Sequence, residues 1–364
     1  MTRILLAAAA TAMAISSAQI ATAQNAADQQ LGNVNFATSC NEVAQARFNR
    51  AMRYQHSFWY NASKEIFEDA LKADPDCAIA YWGIALSLLY NPHNAPLAEN
   101  QPAGLAALQK GKEIGAKTQR ERDYIDSLLV LYTDYDKIPR VQRIQAYLKA
   151  TEALAQKYPD DDEAQINYAI TLNVSASPAD KTYANQLKGA AILEPIFRRQ
   201  PRHPGIAHYL IHLYDYPAIA EKGLDAALRY SKIAPAAPHA QHMPSHIFTR
   251  VGYWKESIEA NSASARAAKA GKEWDEQMHG GDYMVYAYLQ LARDKEALAT
   301  IEDIKNVAGY QRQAGFYAQA ASPARYMLER GDWKGAAELQ ARPSQFTYTE
   351  AVTFRPRSRC CALR

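Results

Sequence analysis

The feature that most constrains this chain is a recurring pair of short amphipathic helices, each pair closed by a Pro or Gly turn, in a sequence without alternating apolar and polar runs. Residues Asn41 to Asp74 show the unit. Phe48, Ala51, Met52 and Gln55 share one stripe, and Ile66, Phe67, Ala70 and Leu71 form a second. Trp59-Tyr60-Asn61 reads as the turn between them, and Asp74-Pro75 ends the pair. One such pair cannot bury its apolar face alone, whereas stacked pairs share a continuous core. The expectation is an all-α solenoid of helical hairpins.

The tetratricopeptide pattern places small, aromatic, Ala, Phe and Pro landmarks along a unit of about 34 residues. Ala51, Tyr54, Phe67, Ala70 and Pro75 fall at those offsets, while Arg47 and Arg50 stand where the pattern prefers Trp and Leu. The unit therefore resembles a degenerate tetratricopeptide repeat, and the fold class expected is a tetratricopeptide-like helical-hairpin solenoid, a superhelix. Pairs close again at Tyr158-Pro159, Gln200-Pro201 and Ala234-Pro235. Gly252-Tyr253-Trp254-Lys255 and Gly331-Asp332-Trp333-Lys334 share one turn logic, a Gly C-cap followed by an aromatic that opens the next helix. Asn91 to Pro102 and Asn173 to Lys181 read as loops between units. The repeat domain spans residues 24–345.

Ahead of it, Arg3, the apolar Ile4 to Ile15 and the small residues Ala21-Thr22-Ala23 read as a signal peptide over residues 1–23, cut after Ala23. The apolar run is shorter than the about 20 residues a membrane span requires. The expected location is periplasmic or secreted, with no membrane span. In an oxidising compartment a Cys40–Cys77 disulfide is favoured over a metal pair, because these residues stand at the two ends of the first hairpin. Two buried free thiols are the alternative. A formal charge of +3 and the lack of any Lys/Arg run argue against a nucleic-acid partner. Residues 346–364 form an irregular tail. The Arg-rich end with Cys360 and Cys361 fits either a reading-frame change or a short basic tail, and carries no functional assignment.

Seven of the nine histidines lie between His203 and His279, which composition does not explain. His208 to His242 is 242 − 208 = 34 residues, and His212 to His246 is 246 − 212 = 34, the repeat length. Within each pair the spacing is i, i+4, one helix face. His208, His212, His242 and His246 are thus expected to line one groove, with His239, His279 and Asp282 at its margins. Imidazoles so spaced are ligands for zinc or copper. The same lining would hold a carboxylate-bearing peptide, protein segment or small molecule. His203-Pro204-Gly205 reads as a turn, with His203 structural. His208-Tyr209-Leu210-Ile211-His212 lacks the Glu of the metalloprotease helix, and Gly280-Gly281 is not a phosphate loop, so no catalytic residue is assigned.

The segments Thr38-Ser39-Cys40, His56-Ser57-Phe58-Trp59, Asp74-Pro75-Asp76-Cys77, Tyr81-Trp82-Gly83, His203-Pro204-Gly205, His208 to His212 and His242-Met243-Pro244-Ser245-His246 resemble those of bacterial exported tetratricopeptide-repeat proteins without an assigned activity. That resemblance covers most of the mature chain and implies fold and compartment. From the residues themselves come two functional expectations: a scaffold that takes a ligand in its concave groove, and a divalent-metal-binding protein, with or without metal-assisted chemistry.

Overall fold

A computed structural model describes residues 30–94, 96–346, 348–349 and 351–353. The expected leader, its cleavage point after Ala23, and Cys360 and Cys361 lie outside the described residues. Within them the fold is all-α, a series of tetratricopeptide-like hairpins, with no strand among the described residues. None of the described helices is long and apolar enough to cross a membrane. The span that the repeat pattern reads as one domain forms two compact units. One comprises residues up to Ser175 with Ile196–Gly205, the other Ala176–Pro195 with the residues from Ile206 on.

The first unit contains α1 (Glu42–His56), α2 (Tyr60–Ala73), α3 (Ile79–Leu88), α4 (Asn100–Ile114), α5 (Gln119–Tyr132), α6 (Arg140–Lys157) and α7 (Asp162–Ser175). Helices α8 (Ala184–Arg199) and α9 (Pro204–Tyr214) each contribute residues to both units. The second unit continues with a 3-10 turn (Ala220–Gly223), α10 (Leu224–Ile233), α11 (Pro238–His242), α12 (Pro244–Val251), α13 (Trp254–Gly271), α14 (Trp274–Gln290), α15 (Asp294–Asn306), α16 (Gln313–Arg330) and α17 (Trp333–Glu338). Two of the expected loops are shorter than read. Asn100 to Pro102 begin α4, where a Pro in the first turn loses no helical hydrogen bond, and Asn173 to Ser175 complete α7.

The core of the first unit is aromatic. Phe36, Phe48, Phe67, Trp82 and Tyr124 are buried, with neighbouring rings 5.0–5.6 Å apart. Gly83 makes this possible, since a Cβ there would fall 2.4 Å from the Phe67 ring. Cys40 and Cys77 are joined, Cα to Cα 4.9 Å, so the segment preceding α1 is tied to the turn between α2 and α3. Asn41 reinforces the tie: its N–H donates to Asp74 (2.7 Å) and its side chain to the Ala73 carbonyl (2.8 Å).

Five hairpins share one turn. Phe58, Gly252, Lys272, Ala292 and Gly331 each have φ between 53° and 81°, and the second helix begins two residues later. In each, the N–H of the next residue reaches back five positions: Trp59 to Tyr54, Tyr253 to Phe248, Glu273 to Ala268, Arg293 to Tyr288 and Asp332 to Met327, at 2.8–3.0 Å. This is the Schellman closure of a helix C-terminus. Only two of the five carry the glycine that marks such a turn in sequence. The other three hold a left-handed conformation that costs an L-residue on the order of 1 kcal/mol, which the packed hairpin imposes. For the same reason the first turn lies at Ser57–Trp59, ahead of the expected Trp59-Tyr60-Asn61.

Candidate metal centre

Six histidines of the second unit converge. Helix α9 carries His208 and His212, α11 carries His239 and His242, α12 carries His246, and α14 carries His279. Pro244 lacks an N–H and so interrupts the helix between α11 and α12, yet His242 and His246 keep their i, i+4 relation. The glycine pair on α14 explains how that helix comes close. A Cβ on Gly280 would lie 3.3 Å from the Asn261 carbonyl of α13, and one on Gly281 would lie 3.0 Å from Ile304 of α15.

The imidazoles form two trios, His208/His212/His239 and His242/His246/His279, and within each trio one potential ligand atom per residue lies within 4.8 Å of the others. In the first, Nε2 of His208 is 3.1 Å from Nε2 of His212 and 3.2 Å from Nε2 of His239. In the second, Nε2 of His242 is 3.0 Å from Nε2 of His246. Two nitrogens bound at the 2.0–2.1 Å of a tetrahedral zinc stand about 3.3 Å apart, so these separations suit one ion per trio.

The other ring nitrogens fix the tautomers. Asn261 donates its amide to the Ser257 carbonyl (2.7 Å), which turns its Oδ1 toward His242 Nδ1 at 2.6 Å. His242 therefore carries its proton on Nδ1 and presents a lone pair at Nε2. His246 Nδ1–H donates to Asp215 (2.7 Å) and His239 Nδ1–H to Glu276 (2.9 Å), leaving Nε2 of each as a lone pair when neutral. With both rings neutral, lone pairs of His242 and His246 face each other at 3.0 Å, an arrangement that either a metal ion or a proton shared between the two nitrogens relieves. A carboxylate or amide behind each ligand is also the outer arrangement that orients imidazoles on a metal.

Electrostatics point the same way. Burial, with the neighbouring His279, His246 and His239, holds His242 well below its ordinary 6.5. Burial likewise brings His279 down to about 4 against the opposing pull of Glu276. Both are thus neutral donors near pH 7. Burial would raise Glu276, but His239 outweighs it and brings the carboxyl down to about 2. Asp215 is lowered too, burial being overcome by His246 and Arg250. Tyr230 stacks on His208 (centroids 5.1 Å) and Tyr283 lies edge-on to His242 (4.8 Å), walling the cluster with rings.

The 34-residue offset predicts one set of four imidazoles, and the four do lie together, the rings of His212 and His246 being 6.0 Å apart. The structure adds a third partner to each i, i+4 pair, His239 or His279, and so arranges them as two abutting sets of three. These two residues, expected at the margin, are full members. Asp282 stays at the margin: it is buried against Arg325 and Ser322 (2.5 and 3.0 Å), contributes no atom to either trio, and acts on His279 only through its charge. Asp215, Glu276 and Asn261 were not legible in the sequence, because single residues 19 to 37 positions away carry no periodic signal.

A separate triad occupies the first unit. His56 and His203 reach Glu163 through Nε2 at 3.1 and 2.9 Å, all three buried. Gly205 is required there, because its Cβ would fall 2.4 Å from Nδ1 of His56. The His203-Pro204-Gly205 segment is thereby explained: a carboxylate partner, a helix start and a clearance for His56. A cavity of about 530 Å³ beside it is lined by Arg120, Lys157, Asp161 and Glu163, and its cations are ion-paired, Arg120 to Asp161 and Lys157 to Asp123. Burial alone would raise Glu163; the two histidines outweigh it and hold it far below its ordinary 4.5. Burial holds His203 below its ordinary 6.5 despite Glu163. Both groups take up protons more readily in the unfolded chain, so stability is full above about pH 6.5 and is lost as pH falls below it. Glu163→Gln is expected to cost the first unit about 2–4 kcal/mol, since it strands two buried imidazoles. Urea unfolding at pH 7.5 checks this, and an unchanged midpoint would count against the triad as a stabilising element.

No family model and no curated protein matches the chain. Among solved structures it is similar to YrrB, described as a TPR protein with an unusual peptide-binding site. The identity is 15%, over 55% of this chain and 90% of that one, with a TM-score of 0.28. A TM-score of that size carries no weight for ligand or mechanism, and the all-α hairpin fold rests on the chain's own helices.

Proposed function

We propose that this protein is a helical-repeat scaffold that binds divalent transition-metal ions, zinc or copper, through the histidine cluster of its second unit. The observation that carries this reading is the convergence of Nε2 atoms at 3.0–3.2 Å, with Nδ1 of His239, His242 and His246 committed to Glu276, Asn261 and Asp215. An all-imidazole donor set without thiolate suits zinc, copper or nickel over magnesium or calcium. The Cys40–Cys77 bond fits an oxidising compartment, in keeping with export.

The groove-binding reading keeps a place beside it. His212, His239, His246 and His279 are only partly buried, and three protein ligands leave a tetrahedral ion one open position. A carboxylate of a peptide or small molecule fits that position. The metal content of protein purified without an affinity tag decides the matter. Zinc or copper retained through dialysis is the expected result. Protein that is empty as purified, and that gives no binding heat with either ion at neutral pH, would rule the reading out.

A further inference from the structure

We infer that the two histidine trios form one dinuclear centre, in which two divalent ions share a single water-derived hydroxide as a bridge. This rests on the metal-binding reading above. The trios abut: ring centroids of His239 and His242 are 5.9 Å apart, and those of His212 and His246 are 6.0 Å apart. Within a trio the separations reach 6.5 Å for His212 and His239 and 6.3 Å for His246 and His279. Rings of different trios are therefore closer than the widest-set pair within either trio, though not as close as the nearest pairs at 4.3–5.0 Å, and the six imidazoles make a single cluster.

Charge supplies the second argument. Two divalent ions bring four positive charges to a set of six neutral donors. The carboxylates at hand, Asp215 and Glu276, stand behind His246 and His239, one imidazole removed from any ion. The residual positive charge, in a site walled by Tyr230 and Tyr283, calls for an anion in direct contact with both ions. Each trio leaves a fourth tetrahedral position unfilled, and the partly exposed His212 and His246 lie where the trios meet, so water reaches it. A water molecule entering there gives one proton to solvent and binds both ions through its oxygen. No electron is transferred, and no other reactant is needed.

Copper(II) is the probe that reads the bridge. The full chain, freed of metal, is loaded with Cu(II), dialysed, and examined for bound copper and for its electron-paramagnetic-resonance intensity. The expected result is two copper ions per chain with nearly all of the two-spin intensity lost, because a hydroxide couples the two unpaired electrons. His239→Ala should hold one ion and display its whole spin. Two ions with both spins visible would overturn the bridge, and one ion in the unaltered chain would overturn the pair; either result leaves metal binding standing. No copper bound at all would remove the metal-binding reading itself. If His239→Ala loses its helicity, the spin count of the unaltered chain still decides.

Discussion

The double variant His212→Ala/His246→Ala is expected to lose zinc and copper binding while keeping its helicity. Each change removes one Nε2 donor from a different trio, and two imidazoles are left on each side. Loss of an outer partner alone weakens a metal site about 10- to 100-fold, so loss of a ligand from both trios should weaken it by more than about 100-fold. Neither side chain is fully buried, and alanine is the best helix former, which is why the helices should persist. Acid should reproduce the effect in the unaltered chain. A ligand imidazole must be deprotonated, so affinity is expected to fall steeply below about pH 6. Titration calorimetry at pH 7.5 and 5.5, alongside circular dichroism, measures both. If the double variant unfolds and the unaltered chain binds no ion, the histidines are core packing and the site disappears with them.

Opening the Cys40–Cys77 bond is expected to destabilise the first unit by about 3–4 kcal/mol, the loss of loop-closure constraint for a separation of 37 residues. The bond secures the segment that carries Phe36 into the aromatic core and places Ser39 against the buried Glu121, which also caps α5. Urea unfolding with and without reductant, and of Cys40→Ser/Cys77→Ser, should show the same drop. Peptide mapping without reductant that finds both thiols free would contradict the pairing at once.

Much of this architecture is legible before any coordinate. The stripe Phe48, Ala51, Met52 and Gln55 is buried as its spacing requires, and Ile66, Phe67 and Ala70 follow suit. Gly252 and Gly331 are helix C-caps, as glycine after a periodic run suggests. The turns at Lys272 and Ala292 were hidden, since nothing local favours a positive φ there; packing of the hairpin enforces it.

For the site, residue order alone reveals the pairs His208/His212 and His242/His246, because helical spacing and repeat length are both local regularities. It also reveals that imidazole, with no nearby cysteine or phosphate loop, is the available chemistry. Tertiary structure alone decides how the six rings are partitioned. The break at Pro244 sets the course of α12 after α11, and Gly280 and Gly281 let α14 bring His279 against His242, ring centroids 4.3 Å apart. It also decides which nitrogen of each ring faces inward, through Asp215, Asn261 and Glu276. Such contacts join side chains far apart in the chain, and only the packing of helices brings them within hydrogen-bonding distance.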